Sequence, residues 1–194
     1  MMDKRNKQTI RAEILERRLA LTPAAVAAAS AEIVRQLAQL PPLEEATVVG
    51  IYAPILQEVD PTALRDVLLL RGVQVLYPRV APVDGFPRLE YAQVHCSEDL
   101  RPGYRGIPEP QGPEVAADTL DVLLAPGIAF DSSGSRLGYG GGSYDEWIQR
   151  MRSDAIIIGL AHPFQVLADL PCDEHDRPVH AVATPSGIHR CSPA

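Results

Sequence analysis

The sequence predicts an α/β fold, in which a mostly parallel sheet is covered by helices on both faces and preceded by a pair of helices. Two observations lead to this prediction. Short apolar runs rich in branched residues end at Gly or Pro, as buried strands do, and helical patterns alternate with them. Before the first of these runs, apolar residues recur at helical spacing among charged ones.

The first 40 residues are predicted to form two helices. Residues 4–20 carry apolar side chains at helical spacing among charges. In residues 21–40, Thr22 is suited to cap a helix, because its side-chain oxygen can accept a backbone N–H of the first turn. Pro23 is suited to the first helical position, where the N–H that proline lacks is not needed. The two prolines at 41–42 stop that helix.

The rest of the chain alternates between strand and helix patterns. Five segments are predicted to be strands: 47–53, 73–78, 89–94, 121–127 and 155–161. Helices are expected over 61–72 and 143–152, and a proline-rich surface loop over 95–118. In a sheet of this kind, ligands bind beyond the carboxyl ends of the strands.

Composition limits the function. The 194 residues are 46% hydrophobic, enough for one sizeable core, so we expect a single domain over 1–194 with helices 1–40 packed on the sheet. A net charge of -7 disfavours binding to nucleic acid, which requires a basic face. Three separated cysteines indicate neither a disulfide framework nor a zinc site. No apolar run is long enough for a membrane span, and we expect a cytoplasmic monomer.

A glycine-rich stretch, "RLGYGGGSYDEW", covers residues 136–147. Glycines before a helix let backbone N–H groups approach a phosphate, Arg136 can bind phosphate oxygens through two N–H groups, and Asp145 can hold a metal ion. A flexible turn with Asp145 as an ordinary helix-start carboxylate explains the same glycines. The stretch is neither a P-loop nor a dinucleotide fingerprint, because Ser143 replaces the last glycine of the latter.

Several motifs in order give a more specific indication. "KQTIR", "EVDP", "LYPRV", "GIPEP", "PGIAFDSSGSRLGYGGGSYDEW" and "DEHDRPVHAVAT" together resemble the 5-formyltetrahydrofolate cyclo-ligase family, also called 5,10-methenyltetrahydrofolate synthetase. The resemblance implies a three-layer α/β/α sandwich with a Rossmann-like sheet. It also implies an enzyme that uses ATP and Mg²⁺ to convert 5-formyltetrahydrofolate to 5,10-methenyltetrahydrofolate. A relative that binds nucleotide or folate without catalysis is the alternative, and a sugar-phosphate or CoA enzyme on a similar scaffold is a third.

The resemblance also implies roles for individual residues. ATP binding falls to N-terminal cations and the glycine stretch: Lys7, Arg11, Arg136, Leu137, Gly138, Tyr139, Gly140, Gly141, Gly142 and Tyr144. Folate binding falls to Ala53, Glu58, Tyr139, Gly140, Gly141, Gly142 and Ser143. Mg²⁺ binding falls to Asp145 and Asp176. Without the resemblance, the residue types alone favour other interpretations. Lys7 and Arg11 are then interpreted as a solvated basic face, Glu58 as a surface carboxylate, and Asp145 and Asp176 as caps or turn residues.

Four positions depart from the family's pattern. Ser143 and Arg105 stand where an aromatic residue is usual, Glu146 where a basic one is, and His180 where an acidic one is. These changes concern the folate side more than the nucleotide side. Trp147 is expected in the core, and His162, His175 and His189 at the surface or in loops, because none has the spacing of a metal ligand.

Overall fold

A computed structural model describes residues 6–83, 86–173 and 176–192, so His175 lies outside the described residues. Five α-helices lie in these ranges: α1 (Lys7–Leu19), α2 (Pro23–Leu37), α3 (Pro41–Glu45), α4 (Thr62–Leu70) and α5 (Ser143–Ile148). The Thr22 side chain accepts a hydrogen bond from the Ala25 N–H, and Pro23 is the first helical residue, so the predicted N-cap is confirmed.

Thirteen strands are present in the described ranges. They are β1 (Val48–Gly50), β2 (Gln74–Val83), β3 (Phe86–Val94), β4 (Leu100–Pro102), β5 (Pro108–Pro110), β6 (Glu114–Val115), β7 (Val122–Ala125), β8 (Ala129–Asp131), β9 (Arg136–Leu137), β10 (Ile156–Leu160), β11 (Val166–Leu167), β12 (Ala181–Thr184) and β13 (Gly187–Arg190).

The central sheet has eight strands in the order β13-β12-β10-β7-β1-β2-β3-β6. The five inner strands, from β12 to β2, are parallel, and the outer strands are antiparallel to their neighbours. Val49 of β1, for example, pairs with Val75 on one side and Val122 on the other. The predicted mostly parallel α/β fold is confirmed.

Apolar side chains fill both faces of this sheet, because the strands are buried on two sides. On one face, Ile33 of α2 and Leu64 of α4 pack in one cluster with Val49. On the other, Trp147 of α5 stacks on Tyr91 of β3 with ring centroids 4.9 Å apart. Trp147 is 1% exposed, which confirms its predicted place in the core.

Helix α1 packs on a second, three-stranded sheet of order β11-β8-β9. Ile10 and Ile14 lie on one face of α1, four residues apart, and are buried with Ile128, Ala129 and Leu137. Strand β9 is the start of the glycine-rich stretch, and the glycines follow the strand directly. This packing therefore holds α1 beside that stretch.

Three local predictions were wrong. Residues 95–118 are not a plain loop, since they contain β4, β5 and β6. Strand β2 continues beyond residue 78 and forms an antiparallel pair with β3. Helix α5 ends at Ile148 rather than 152, because the N–H groups of Arg150 and Met151 bond three residues back, which tightens and closes the last turn.

None of the helices within the described ranges has the length and apolar character that a membrane crossing requires.

Candidate active site

Three loops meet helix α1 near the carboxyl ends of the parallel strands. One follows β1 and contains Glu58, the second follows β7 and contains Gly127, and the third is the glycine loop, which we define as residues 138–142. The side chain of Arg18, in the last turn of α1, bonds to all three. Loops at this edge of a parallel sheet commonly form ligand sites.

Glu58 is a buried carboxylate, only 5% exposed. One of its oxygens accepts the Ile55 N–H at 3.0 Å, and the other accepts the Tyr139 hydroxyl at 2.9 Å. Burial raises the pKa of Glu58, and the Ile55 N–H, the Arg18 charge and the Tyr139 hydroxyl offset that rise only in part. Glu58 is therefore not the surface glutamate that its sequence context alone suggests.

Arg18 is a functional candidate that the sequence analysis missed. Its side chain is fully buried, with Nη1 3.7 Å from a Glu58 oxygen. Nε donates to the Leu56 carbonyl at 2.8 Å, Nη1 donates to the Gly127 carbonyl at 3.2 Å, and Nη2 donates to the Tyr139 hydroxyl. One signal was available in the sequence: Arg18 continues the apolar spacing of α1, four residues after Ile14, so a charge occupies a core-facing position.

The backbone before Glu58 is strained. Leu56 and Gln57 have φ angles of 49° and 61°, in the left-handed region that side-chain-bearing residues avoid. The Gln57 carbonyl lies 3.0 Å from Nε2 of His162. His162 lies in the loop after β10, which is one of the two expected positions, but it is 3% exposed and so not at the surface. Burial lowers the pKa of its imidazole, which favours the neutral form.

Arg11 and the glycine loop are in direct contact. Arg11 Nε donates to the Gly138 carbonyl at 2.8 Å. Gly140 has φ +104°, and a Cβ there would lie 3.7 Å from the Arg11 guanidinium carbon. Gly142 is also left-handed, with φ +68°. The loop thus needs glycine for its conformation and lies against a cation, as expected for an anion-binding backbone.

Arg136, which is buried, forms an ion pair with Asp145, which is 21% exposed. Arg136 Nη2 donates to Asp145 Oδ1 at 2.8 Å, and the same oxygen accepts the Arg177 N–H at 3.2 Å. The Arg136 guanidinium also lies 5.4 Å from the centre of the Tyr144 ring. Its Nε is buried and has no hydrogen-bond partner among the described residues. A free, buried donor of this kind suits an anionic ligand.

Lys7 and Asp176 form a second ion pair close to the first. Lys7 Nζ lies 2.6 Å from Asp176 and 2.7 Å from Asp173. Partial burial alone would raise the pKa of Asp176, but Lys7, the Asp173 N–H and the charge of Arg136 together lower it. Arg136 therefore acts on both Asp145 and Asp176. Among the described residues, no group of three or more His, Cys, Asp or Glu side chains is placed to hold a metal without other ligands.

The other predicted site residues have less direct positions. The Leu137 side chain is buried with Ile10 and Ile14, so only its backbone can face a ligand. Ala53 packs half-buried against the core beyond β1. Ser143 is the first residue of α5.

The remaining departures from the family's pattern have local contacts of their own. Arg105 lies over the Tyr104 ring at 5.1 Å, and Glu146 is 4.0 Å from Arg88. His180 Nδ1 accepts the Ile157 N–H at 2.9 Å, which is a contact within the sheet.

Fold and site together define a class first: an α/β protein that gathers cations, carboxylates and a glycine loop beyond the carboxyl ends of a mostly parallel sheet. Within that class, the chain belongs to the 5-formyltetrahydrofolate cyclo-ligase family, whose family model matches residues 3–185. The resemblance seen in the sequence motifs is thereby confirmed.

Curated relatives and solved structures agree with this assignment. The chain is 32% identical to the 5-formyltetrahydrofolate cyclo-ligase of Escherichia coli K12 over 90% of this chain and 98% of that one. It is 33% identical to the Mycolicibacterium smegmatis enzyme of the same name, over 95% and 96%. The NMR structure of Aquifex aeolicus 5,10-methenyltetrahydrofolate synthetase superposes with a TM-score of 0.82 at 31% identity, covering 95% of this chain and 92% of the other.

Proposed function

We propose that this protein converts 5-formyltetrahydrofolate to 5,10-methenyltetrahydrofolate in an ATP-dependent reaction that releases ADP and phosphate. Its membership in the family and its likeness to enzymes of that name support the proposal. One observation in the structure carries it furthest. The hydrogen bond from Tyr139 to Glu58 joins the glycine loop, our candidate for ATP binding, to the buried carboxylate that is our candidate for folate binding.

The chemistry explains why such residues are collected in one place. The N5-formyl group is an amide, so its oxygen is a poor leaving group. When this oxygen attacks the γ-phosphorus of ATP, ADP leaves and the formyl carbon becomes a good electrophile. N10 then forms a bond to that carbon, the C–O bond to phosphate breaks, and the N10 proton passes to water. Such a reaction asks the protein for positioning and charge neutralisation rather than for a nucleophilic side chain.

For ATP, we assign the phosphates to the cations around the glycine loop. Arg11 already lies against Gly140, and the unpartnered Nε of Arg136 is free to donate to a phosphate oxygen. Lys7 is held by Asp173 and Asp176, and it can exchange these carboxylates for phosphate. Backbone N–H groups of Gly138 to Gly142, with Tyr139 and Tyr144 at the sides, complete the proposed ATP site.

The residues present also fit Mg²⁺ bound together with nucleotide. Asp145 and Asp176 supply two carboxylates that share the field of Arg136, and Mg²⁺ typically takes one or two carboxylates and fills its remaining positions with phosphate oxygens and water. When bound, the ion would neutralise charge on the phosphates.

For folate, we assign the pterin to Glu58. An ionised carboxylate can accept two parallel N–H bonds from an amino-pyrimidinone edge. In the structure each Glu58 oxygen accepts one hydrogen bond, from Ile55 or from Tyr139, and a carboxylate oxygen can accept a second, so the pterin can bind while both contacts are kept. Ala53, Ser143 and the loop glycines are assigned to the rest of the folate.

The test is turnover by the purified protein. With 5-formyltetrahydrofolate, ATP and Mg²⁺, we expect the longer-wavelength absorbance of the methenyl product, with no signal when any one component is omitted. Binding of folate or ATP without turnover would instead support the non-catalytic alternative, and binding of neither would refute the proposal.

We also propose a cytoplasmic monomer with small-molecule ligands and without nucleic acid or membrane partners. Free cysteines at 96, 172 and 191 fit a reducing compartment, and the net charge of -7 fits the absence of a nucleic-acid partner. A molar mass above 21.0 kDa in light scattering would refute the monomer.

A further inference from the structure

Arg18 carries a buried charge at the point where α1 meets the three loops of the candidate site. Its acceptors come from separate parts of the chain: Leu56 after β1, Gly127 after β7 and Tyr139 in the glycine loop. A buried cation is costly unless it is paired and fully hydrogen-bonded, so such a residue requires an explanation.

We propose that Arg18 is a positioning residue for folate: it fixes the Glu58 carboxylate and the Tyr139 hydroxyl in the arrangement from which the pterin is bound. The inference rests on the proposed function, because it takes Glu58 as the pterin ligand. Arg18 itself is buried behind these two groups and acts through them.

The guanidinium is suited to this task by its shape. Its planar fork presents five N–H donors in fixed directions. Three of them bind two carbonyls and one hydroxyl here, while Nη1 also stays 3.7 Å from Glu58. A lysine ammonium has three donors on one nitrogen and cannot reach three acceptors that belong to three separate loops. We therefore expect lysine to be a poor substitute even though it keeps the charge.

The strained turn before Glu58 gives Arg18 a specific structural role. Two successive residues, Leu56 and Gln57, are left-handed, and each of their carbonyls is bound by a buried side chain. Arg18 binds the first carbonyl and His162 the second. Gln165 closes the cluster, since its amide donates to the same Gly127 carbonyl as Arg18. The direction of Glu58 therefore depends on contacts that these side chains make.

Charge gives Arg18 a second role. Glu58 is buried near three tyrosines, Tyr52, Tyr139 and Tyr144. Burial raises the pKa of each tyrosine, so their hydroxyls stay neutral and supply no charge. Arg18 supplies positive charge beside this carboxylate. An ionised Glu58 is what an amino-pyrimidinone edge needs as an acceptor.

The first experiment measures folate affinity directly, by titration with 5-formyltetrahydrofolate in the absence of ATP. For Arg18→Met and Arg18→Lys we expect Kd to rise about tenfold or more, because one charge-assisted contact at a buried carboxylate is disturbed. Arg17→Met is the matched control, since Arg17 is the exposed neighbour on the same helix and lies over Phe164 instead. We expect its Kd to stay within about twofold.

The second experiment separates positioning from a general effect on the fold. In a Glu58→Gln background, we expect Arg18→Met to change the folate Kd far less than it does in the wild type, because the group through which it acts is altered. An equal fold-change in both backgrounds would overturn the proposal. So would unfolding of both Arg18 variants while Arg17→Met stays folded, which would make Arg18 a purely structural residue.

Wild-type turnover, measured in parallel, keeps the two proposals apart. An active wild type whose folate Kd is unaffected by Arg18→Met refutes the role of Arg18 alone. A wild type that binds no folate refutes the proposed function, and the role of Arg18 with it.

Discussion

Arg136→Lys perturbs the proposed ATP site with the least change in charge. In the structure, Arg136 Nη2 holds Asp145 at 2.8 Å, and the buried Nε, which has no partner among the described residues, is the atom we assign to an ATP phosphate. Lysine can keep one of these partners but not both, since it lacks the planar fork. A hydrogen bond to a charged group contributes about 1.5 to 3 kcal/mol. At about 1.4 kcal/mol per factor of ten, the ATP KM should rise about 10- to 150-fold.

The assay is product absorbance at saturating folate and varied ATP, with the melting temperature measured on the same sample. Arg150→Lys is the control, because Arg150 follows α5 and its ion pair with Glu114 at 3.1 Å is partly exposed. We expect that variant to keep its ATP KM. An Arg136→Lys protein that is folded and has an unchanged ATP KM would remove Arg136 from the ATP site.

Three further predictions concern other parts of the site. Burial raises the pKa of Glu58 above 4.5, so the fold loses stability as pH rises through the folded-state pKa and the carboxylate ionises. Glu58→Gln should therefore have a higher melting temperature than the wild type at neutral pH and lose this advantage well below pH 4.5. A higher melting temperature at all pH values would contradict the prediction. Gly140→Ala should lose about 1 to 3 kcal/mol of stability and raise the ATP KM. Gly72→Ala is the control, because Gly72 has φ +78° and an added Cβ would have no atom within 4 Å, so this variant should lose stability alone. Equal ATP KM values for the two variants would refute the loop assignment. Asp176→Asn should raise the Mg²⁺ concentration needed for half-maximal rate several-fold. Asp173→Asn is the control and should not raise it, because Asp173 also pairs with Lys7 but its side chain is 72% exposed. A similar Mg²⁺ requirement for both variants would take Asp176 out of the metal site.

The inner strands were predictable because burial on both faces makes them short, continuous apolar runs. "VLLA" in β7 and "IIIGL" in β10 are of this kind. The second half of β2 was not, since Arg79 and Pro82 interrupt the apolar run and the pairing with β3 depends on a partner strand rather than on local pattern. Strand β12 has four residues, three of them small, which is too little for periodicity to distinguish from loop.

The candidate site was predictable where function leaves a local pattern. The glycine loop and Arg136 lie within one short stretch of sequence, and the structure brings Lys7 and Arg11 to them. Arg18 and His162 were missed because their roles come from partners 38 and 105 residues away along the chain. The core-facing spacing of Arg18 in α1 indicates burial of its charge, but it does not indicate these partners. The ligand assignments, the single domain and the monomer stay predictions.

Oxygen-18 in the formyl group of 5-formyltetrahydrofolate tests the central claim most directly. If ATP phosphorylates the formyl oxygen, that oxygen leaves with the phosphoryl group, and mass spectrometry will find the label in the inorganic phosphate released during turnover. Label recovered in water instead, with unlabelled phosphate, would contradict activation of the formyl oxygen by phosphoryl transfer.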